Sequence, residues 1–66
     1  MRDYHFRVLI DGNICGEGYG SGHSAIEAFE SGIENDSVFI PNGQEVEILA
    51  LSSNNIGIRF KAIQGL

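Results

Sequence analysis

The stretch that decides the fold runs from residue 13 to residue 29: Asn13-Ile14-Cys15-Gly16-Glu17-Gly18-Tyr19-Gly20-Ser21-Gly22-His23-Ser24-Ala25-Ile26-Glu27-Ala28-Phe29. Its first half reads as a strand, from about Asn13 to Tyr19. Its second half reads as a helix. Between them glycine recurs at every second position, from Gly16 to Gly22. Glycine inside a strand weakens it, or marks a bulge or a close backbone approach. It also lets a chain leave a strand cheaply. The stretch around Gly18, Gly20, Ser21, Gly22 and His23 is therefore expected to be the turn between strand and helix.

Ser24-Ala25-Ile26-Glu27 fits the S-x-x-E capping box, with Ser21 as a rival cap. Ile26, Phe29 and Ile33 follow at i, i+3 and i+7 and are expected to form the buried stripe. Ala25 and Ala28 flank it and allow close packing on a sheet. Glu27, Glu30 and Glu34 make a second, acidic stripe. Glu27 lies in the first turn, where the helix dipole favours an acid. Asn35-Asp36 ends the helix.

Upstream, residues 3–10 alternate: Tyr4, Phe6, Val8 and Ile10 on one face, His5, Arg7 and Leu9 on the other. Period two with aromatic and β-branched residues predicts a strand. Asp11-Gly12-Asn13 is a hairpin turn, since Asp-Gly and Gly-Asn both suit positive φ. An uninterrupted two-residue turn puts Cys15, Glu17 and Tyr19 on the face of Phe6 and Val8. Cys15 and Tyr19 are then expected in the core, with Glu17 an oddity beside them.

Downstream, Val38-Phe39-Ile40 can be a short edge strand or a loop tucked onto the core. Pro41-Asn42-Gly43 is a turn in which Asn42 is expected to take the left-handed position. Gln44 to Ser52 alternates with Val46, Ile48 and Ala50 inward. Ile56, Ile58, Phe60 and Ala62 repeat the pattern after a loop at Ser53 to Asn55. A three-residue loop keeps both inward faces matched, because a one-residue slip would flip a strand. That register sets Glu47 opposite Lys61 and Leu49 opposite Arg59. An Asn in the loop can adopt left-handed φ.

The element order is β-β-α-(β)-β-β. An α+β fold results, with a single antiparallel sheet and one helix packed on one face, over Phe6, Val8, Val46, Ile48, Ile58 and Phe60. Residues 1–66 read as one small domain. A chain of this size buries only ~60% of its unfolded surface, so it gains from a staple. Cys15 is the only cysteine, which excludes an internal disulfide. Self-association or tight hairpin packing is the expected staple, self-association running through the outer sheet face at Leu49, Leu51 and Ile63.

The chain carries a net charge of −5, and its four basic residues, Arg2, Arg7, Arg59 and Lys61, all lie near its ends. The eight acids between Val8 and Ile58 face no Lys or Arg in that interval. Direct nucleic-acid binding is not expected of such a surface. Glu27, Glu30, Glu34, Glu45 and Glu47 instead form a candidate partner-binding surface. No apolar run approaches the ~20 residues of a membrane span. No secretory signal is recognisable at Met1-Arg2-Asp3-Tyr4-His5, so the cytoplasm is the expected compartment.

The glycine stretch lacks both the dinucleotide-binding pattern and the lysine of a P-loop. It leaves an anion site at Gly18, Gly20, Ser21, Gly22 and His23 as one expectation, through backbone N–H groups and the helix N-terminus. His5 and His23 supply no third ligand at metal-binding spacing with Cys15, and no cofactor is expected. No nucleophile or acid–base pair can be assembled, so an enzyme is not expected. Three readings remain. The first is a non-enzymatic interaction or regulatory module, homo-oligomeric or bound to another protein. The second is a small phage-type inhibitor that acts as an acidic mimic of nucleic acid. The third is a binder of small anions or metabolites.

Over Val8 to Phe29, about a third of the chain, the sequence locally resembles the C-terminal regulatory domain of 2-isopropylmalate synthases. The resemblance implies a hairpin, a glycine-rich turn and a helix opening on an acid-Ala pair. The family's Gly-Pro before the helix is Gly22-His23 here. The glycine-serine helix entry is also similar to that of double-stranded-RNA-binding domains, without the lysines that touch phosphate. No functional residue is carried over from either.

Overall fold

A computed structural model describes residues 1–63. Its elements are β1 (Arg2–Ile10), β2 (Asn13–Gly22), α1 (Ala25–Glu34), β3 (Glu45–Ser52) and β4 (Gly57–Ile63). The four strands form one antiparallel sheet in the order β2-β1-β3-β4, with the single helix on one face. The α+β architecture is the expected one.

The β1–β2 hairpin turns at Asp11 and Gly12, whose φ values of 52° and 81° suit a two-residue turn with positive φ at both corners. The register then breaks. Leu9 pairs with Ile14 but Val8 pairs with Gly16, so Cys15 is the extra residue of a β-bulge. One inserted residue exchanges the faces of everything after it. Gly16, Gly18, Gly20 and Gly22 therefore point toward the helix, opposite Val8, Phe6, Tyr4 and Arg2. Glu17 and Tyr19 point to the other face, opposite Arg7 and His5. The expected placement of Cys15, Glu17 and Tyr19 in the core is thus overturned. Cys15 and Tyr19 are exposed, and Glu17 is no oddity beside Arg7.

The glycines are not a turn either. They are strand residues on which the helix lies. A Cβ at Gly20 would stand 2.1 Å from the Ala28 carbonyl oxygen, and one at Gly22 would stand 2.6 Å from the Ala28 nitrogen. A Cβ at Gly18 would meet the Ser37 carbonyl at 2.1 Å. From the helix side, a Cβ at Gly32 would stand 2.8 Å from the Tyr19 carbonyl. Strand and helix backbones approach more closely here than any side chain permits.

That seating rotates the helix. Its buried residues are Ala25, Ala28, Phe29 and Gly32, the small ones resting on β2. Of the expected stripe only Phe29 is buried, while Ile33 is half-buried and Ile26 is 50% exposed. Phe29 reaches across the sheet, edge-on to Phe6 at 5.5 Å and to Phe60 at 5.3 Å between ring centroids. Phe6, Ala25, Ala28 and Phe29 form the buried core with Tyr4, Val8, Val38, Ile40, Val46, Ile48 and Ala50, and Ile10, Ile33, Phe60 and Ala62 pack against it.

A helix is ~10 Å across, whereas the outer axes of four strands spaced ~4.8 Å lie about 14 Å apart. A helix centred over β2 and β1 cannot also cover β4. Ile58, expected under the helix, is 44% exposed for this reason.

The capping box forms on its Ser24 side, while the Glu27 carboxylate reaches back one residue beyond the cap, to His23. Ser24 Oγ accepts from the Glu27 N–H at 3.2 Å, and a Glu27 carboxylate oxygen accepts from the His23 N–H at 3.3 Å. The opposite end closes with Asp36 at φ 58°, the Ser37 N–H donating to the Gly32 carbonyl and the Asp36 N–H to that of Ile33. We expect Ser24→Ala to cost about 1 kcal/mol in chemical denaturation. Ser21→Ala should cost less, because Ser21 does not cap the helix; its hydroxyl donates to Asp3.

Residues 38–40 form a loop, not a strand. Val38 and Ile40 are buried in the core and Phe39 points out. In the next turn Gly43, at φ 75°, takes the left-handed position expected of Asn42. The β3–β4 register is as expected, with Glu47 opposite Lys61 and Leu49 opposite Arg59, and Asn55 is left-handed at φ 59°.

Candidate functional site: the outer sheet face

The face of the sheet away from the helix is uncovered among the described residues. Strand pairing arranges it in rows. One row runs Tyr19, His5, Leu51, Gly57; the next runs Glu17, Arg7, Leu49, Arg59. A third runs Ile14, Leu9, Glu47, Lys61, and Glu45 and Ile63 pair beyond it. Gly57 leaves a gap in the first row. A Cβ there would touch Leu49 Cδ1 at 3.4 Å and Leu51 Cδ2 at 3.6 Å, so both leucines lean over it and are half-buried. Ile63 is 63% exposed. The expected interface residues Leu49, Leu51 and Ile63 thus share one face with Leu9, Ile14 and Tyr19.

The polar groups of this face bond mainly to one another. Glu17 stands between Arg7 Nε at 3.6 Å and His5 Nε2 at 3.8 Å, and the His5 ring stacks on Tyr19 at 4.9 Å. Arg7 Nε is closed off from solvent without a hydrogen-bond partner. The charge pairs of β3 and β4 run diagonally rather than directly across. Arg59 Nη1 lies 3.5 Å from Glu47 Oε1, and Lys61 Nζ lies 3.9 Å from Glu45 Oε1. Long side chains reach diagonal neighbours on a sheet surface.

Three cations, Arg7, Arg59 and Lys61, are therefore matched by three carboxylates, Glu17, Glu45 and Glu47. The other formal charges are Arg2 and six acids, including Asp3 at the sheet's rim, and they carry the whole net charge of −5. The hairpin bulge creates this segregation by turning Glu17 outward. The segregation is invisible to period two, because a bulge leaves no mark in the alternation.

The candidate acidic surface divides accordingly. Glu27, Glu30 and Glu34 are exposed on the helix, whereas Glu45 and Glu47 are on the outer sheet face and paired. The five do not form one surface.

The glycine stretch offers no open cradle. The space beside Gly18, Gly20 and Gly22 is filled by the backbone of Ser37 and the helix. Glu27 and Ser24 already bond at the helix N-terminus. His23 is exposed beside it, and Ser21 bonds to Asp3. Among the described residues no cluster of three His, Cys, Asp or Glu could hold a metal ion, and no helix is long and apolar enough to cross a membrane.

No family model, curated protein or solved structure matches this chain. The local likenesses noted in the sequence extend to no family match.

Proposed function

We propose that this chain is a small acidic interaction module that self-associates through its outer sheet face and offers its helix face to a partner. The observation that carries the reading is the distribution of charge. Two copies of a −5 chain repel unless they meet where the net charge vanishes. The outer sheet face is such a place, and its apolar residues supply the drive. Packing face to face directs both acidic helices away from the contact. The exposed carboxylates of Glu27, Glu30 and Glu34, with no basic neighbour on the helix, then suit a basic surface on another protein.

Light scattering at two protein concentrations tests the contact. The parent chain should show a mass above the monomer that falls on dilution. Leu49→Glu, between Arg7 and Arg59, and Ile63→Glu, opposite Glu45, each replace an apolar side chain of the contact with a carboxylate that must be desolvated there, and should shift the dissociation constant at least tenfold, to the monomer side. A monomeric parent chain, or an unchanged assembly in both variants, would overturn the reading.

A further inference from the structure

The second uncovered region lies on the helix side of the sheet, along β4. β4 pairs only with β3, so the backbone groups on its other edge have no strand partner among the described residues. A row of free N–H and C=O groups is a template for another strand. Beside this edge runs an apolar strip, with Ile56 and Ile58 exposed and Phe60 and Ala62 half-buried. The strip ends in an open groove of about 520 Å³ between the helix and the end of β4, with Phe29, Ile33, Ile40 and Ala62 among its walls. The ionisable groups lining it are Glu30 and Glu34, both exposed and in no ion pair among the described residues.

We infer that the β4 edge and this acid-rimmed groove dock an extended segment of another protein. Its residues facing the helix alternate between apolar and Lys or Arg, and those facing away are acidic or neutral. The backbone of the segment adds a fifth strand. Its apolar side chains cover Ile58 and Ala62, its cations reach past Phe60 to Glu30 and Glu34, and acids on its far side meet Arg59 and Lys61. This is β-strand addition, in which main-chain bonds supply affinity and alternate side chains supply specificity.

A second copy of β4 fits the edge poorly in the three central registers, which pair the most residues. Antiparallel self-pairing centred on Phe60 sets Arg59 opposite Lys61 of the other copy; centring on Arg59 or on Lys61 sets each against itself. Like charges directly opposite are destabilising. The edge is thus charged against its own kind and complementary to a strand of the stated pattern.

The test uses the full chain, 15N-labelled, and a synthetic nine-residue peptide. Ile and Lys alternate on one side of the peptide, and Glu and Thr alternate on the other. Backbone amide shifts should move along Gly57–Ile63 and in the second half of α1. Side-chain face and N–H direction alternate together in a strand. N-methylation of one alternate set of peptide residues should therefore abolish binding, and methylation of the other set should leave it intact. Glu30→Lys with Glu34→Lys, both exposed helix positions, should weaken binding about tenfold. Leu49→Glu should leave it unchanged, because this site does not depend on the outer sheet face. No shift at about 1 mM peptide, shifts confined to the outer face, or equal binding by both methylated peptides would overturn the proposal. So would amide protection that rises with protein concentration in β4 alone in the Leu49→Glu chain, whose outer-face contact is broken, since a second copy would then hold the edge.

Discussion

Gly20→Ala is expected to unfold most of the molecules, while Gly16→Ala leaves stability equal or slightly raised. The two substitutions add the same methyl group to the same strand, four residues apart and on the same face. At Gly16 the new carbon would meet nothing closer than Val8 Cβ at 3.9 Å, an ordinary contact. Neither glycine needs positive φ. Replacing Gly by Ala at a compatible position reduces unfolded-state entropy and stabilises by ~0.4–1 kcal/mol. At Gly20 the carbon would meet the Ala28 carbonyl oxygen at 2.1 Å and Phe6 Cε2 at 3.2 Å. A helix backbone cannot rotate out of the way as a side chain can. The helix has to lift, and lifting it separates Ala28 and Phe29 from the sheet.

Overpacking of this kind costs ~1–3 kcal/mol where side chains can yield, and more where they cannot. A chain of this length holds roughly 3–10 kcal/mol in all, at ~0.05–0.15 kcal/mol per residue. Urea titrations of both variants with a far-ultraviolet circular dichroism readout decide the matter. Equal midpoints for Gly20→Ala and the parent chain would mean that the helix does not rest on β2.

Those glycines also mark where the sequence stopped being legible. The alternation of β1, β3 and β4 identified the strands, and the register across Ser53 to Asn55 followed from matching two inward faces. Ser24 and Glu27 identified the helix start because capping is local chemistry. Three features were hidden. The bulge at Cys15 depends on how two strands twist against each other, and nothing in Ile14-Cys15-Gly16 announces it. Without a bulge, the alternation puts the glycines on the outer face, where they read as a turn. Spacing alone has the helix present Ile26, Phe29 and Ile33 squarely to the sheet. It presents its small residues instead, because four glycines in a strand create a channel that Ala28 and Gly32 fit and isoleucine does not. Of the outer face, the leucines were legible from period two. The matching of its charges was not, since that required Glu17 on the side of Arg7.

Phe29→Ala is expected to be the most damaging truncation in the helix, and Ile26→Ala close to neutral. Both positions belong to one apolar stripe by spacing, and the structure separates them. Ile26 is 50% exposed, so its truncation removes little buried surface. Phe29 is the side chain that spans the sheet. Its ring packs edge-on against Phe6 in β1 and against Phe60 in β4. Phe→Ala in a core costs ~3–5 kcal/mol, combining the lost transfer energy with the cavity left behind. Edge-to-face pairs contribute ~0.5–1.5 kcal/mol beyond burial, and two of them are lost at once.

The loss should not be spread evenly. The small residues of α1 still fit the glycines of β2, so the helix retains its seat while β4 loses its tie to it. Amide exchange should therefore accelerate first in Gly57–Ile63, ahead of β1 and β2, under conditions where Phe29→Ala remains folded. Uniform acceleration through all four strands would show that Phe29 supports the whole core rather than joining its far edge to the helix.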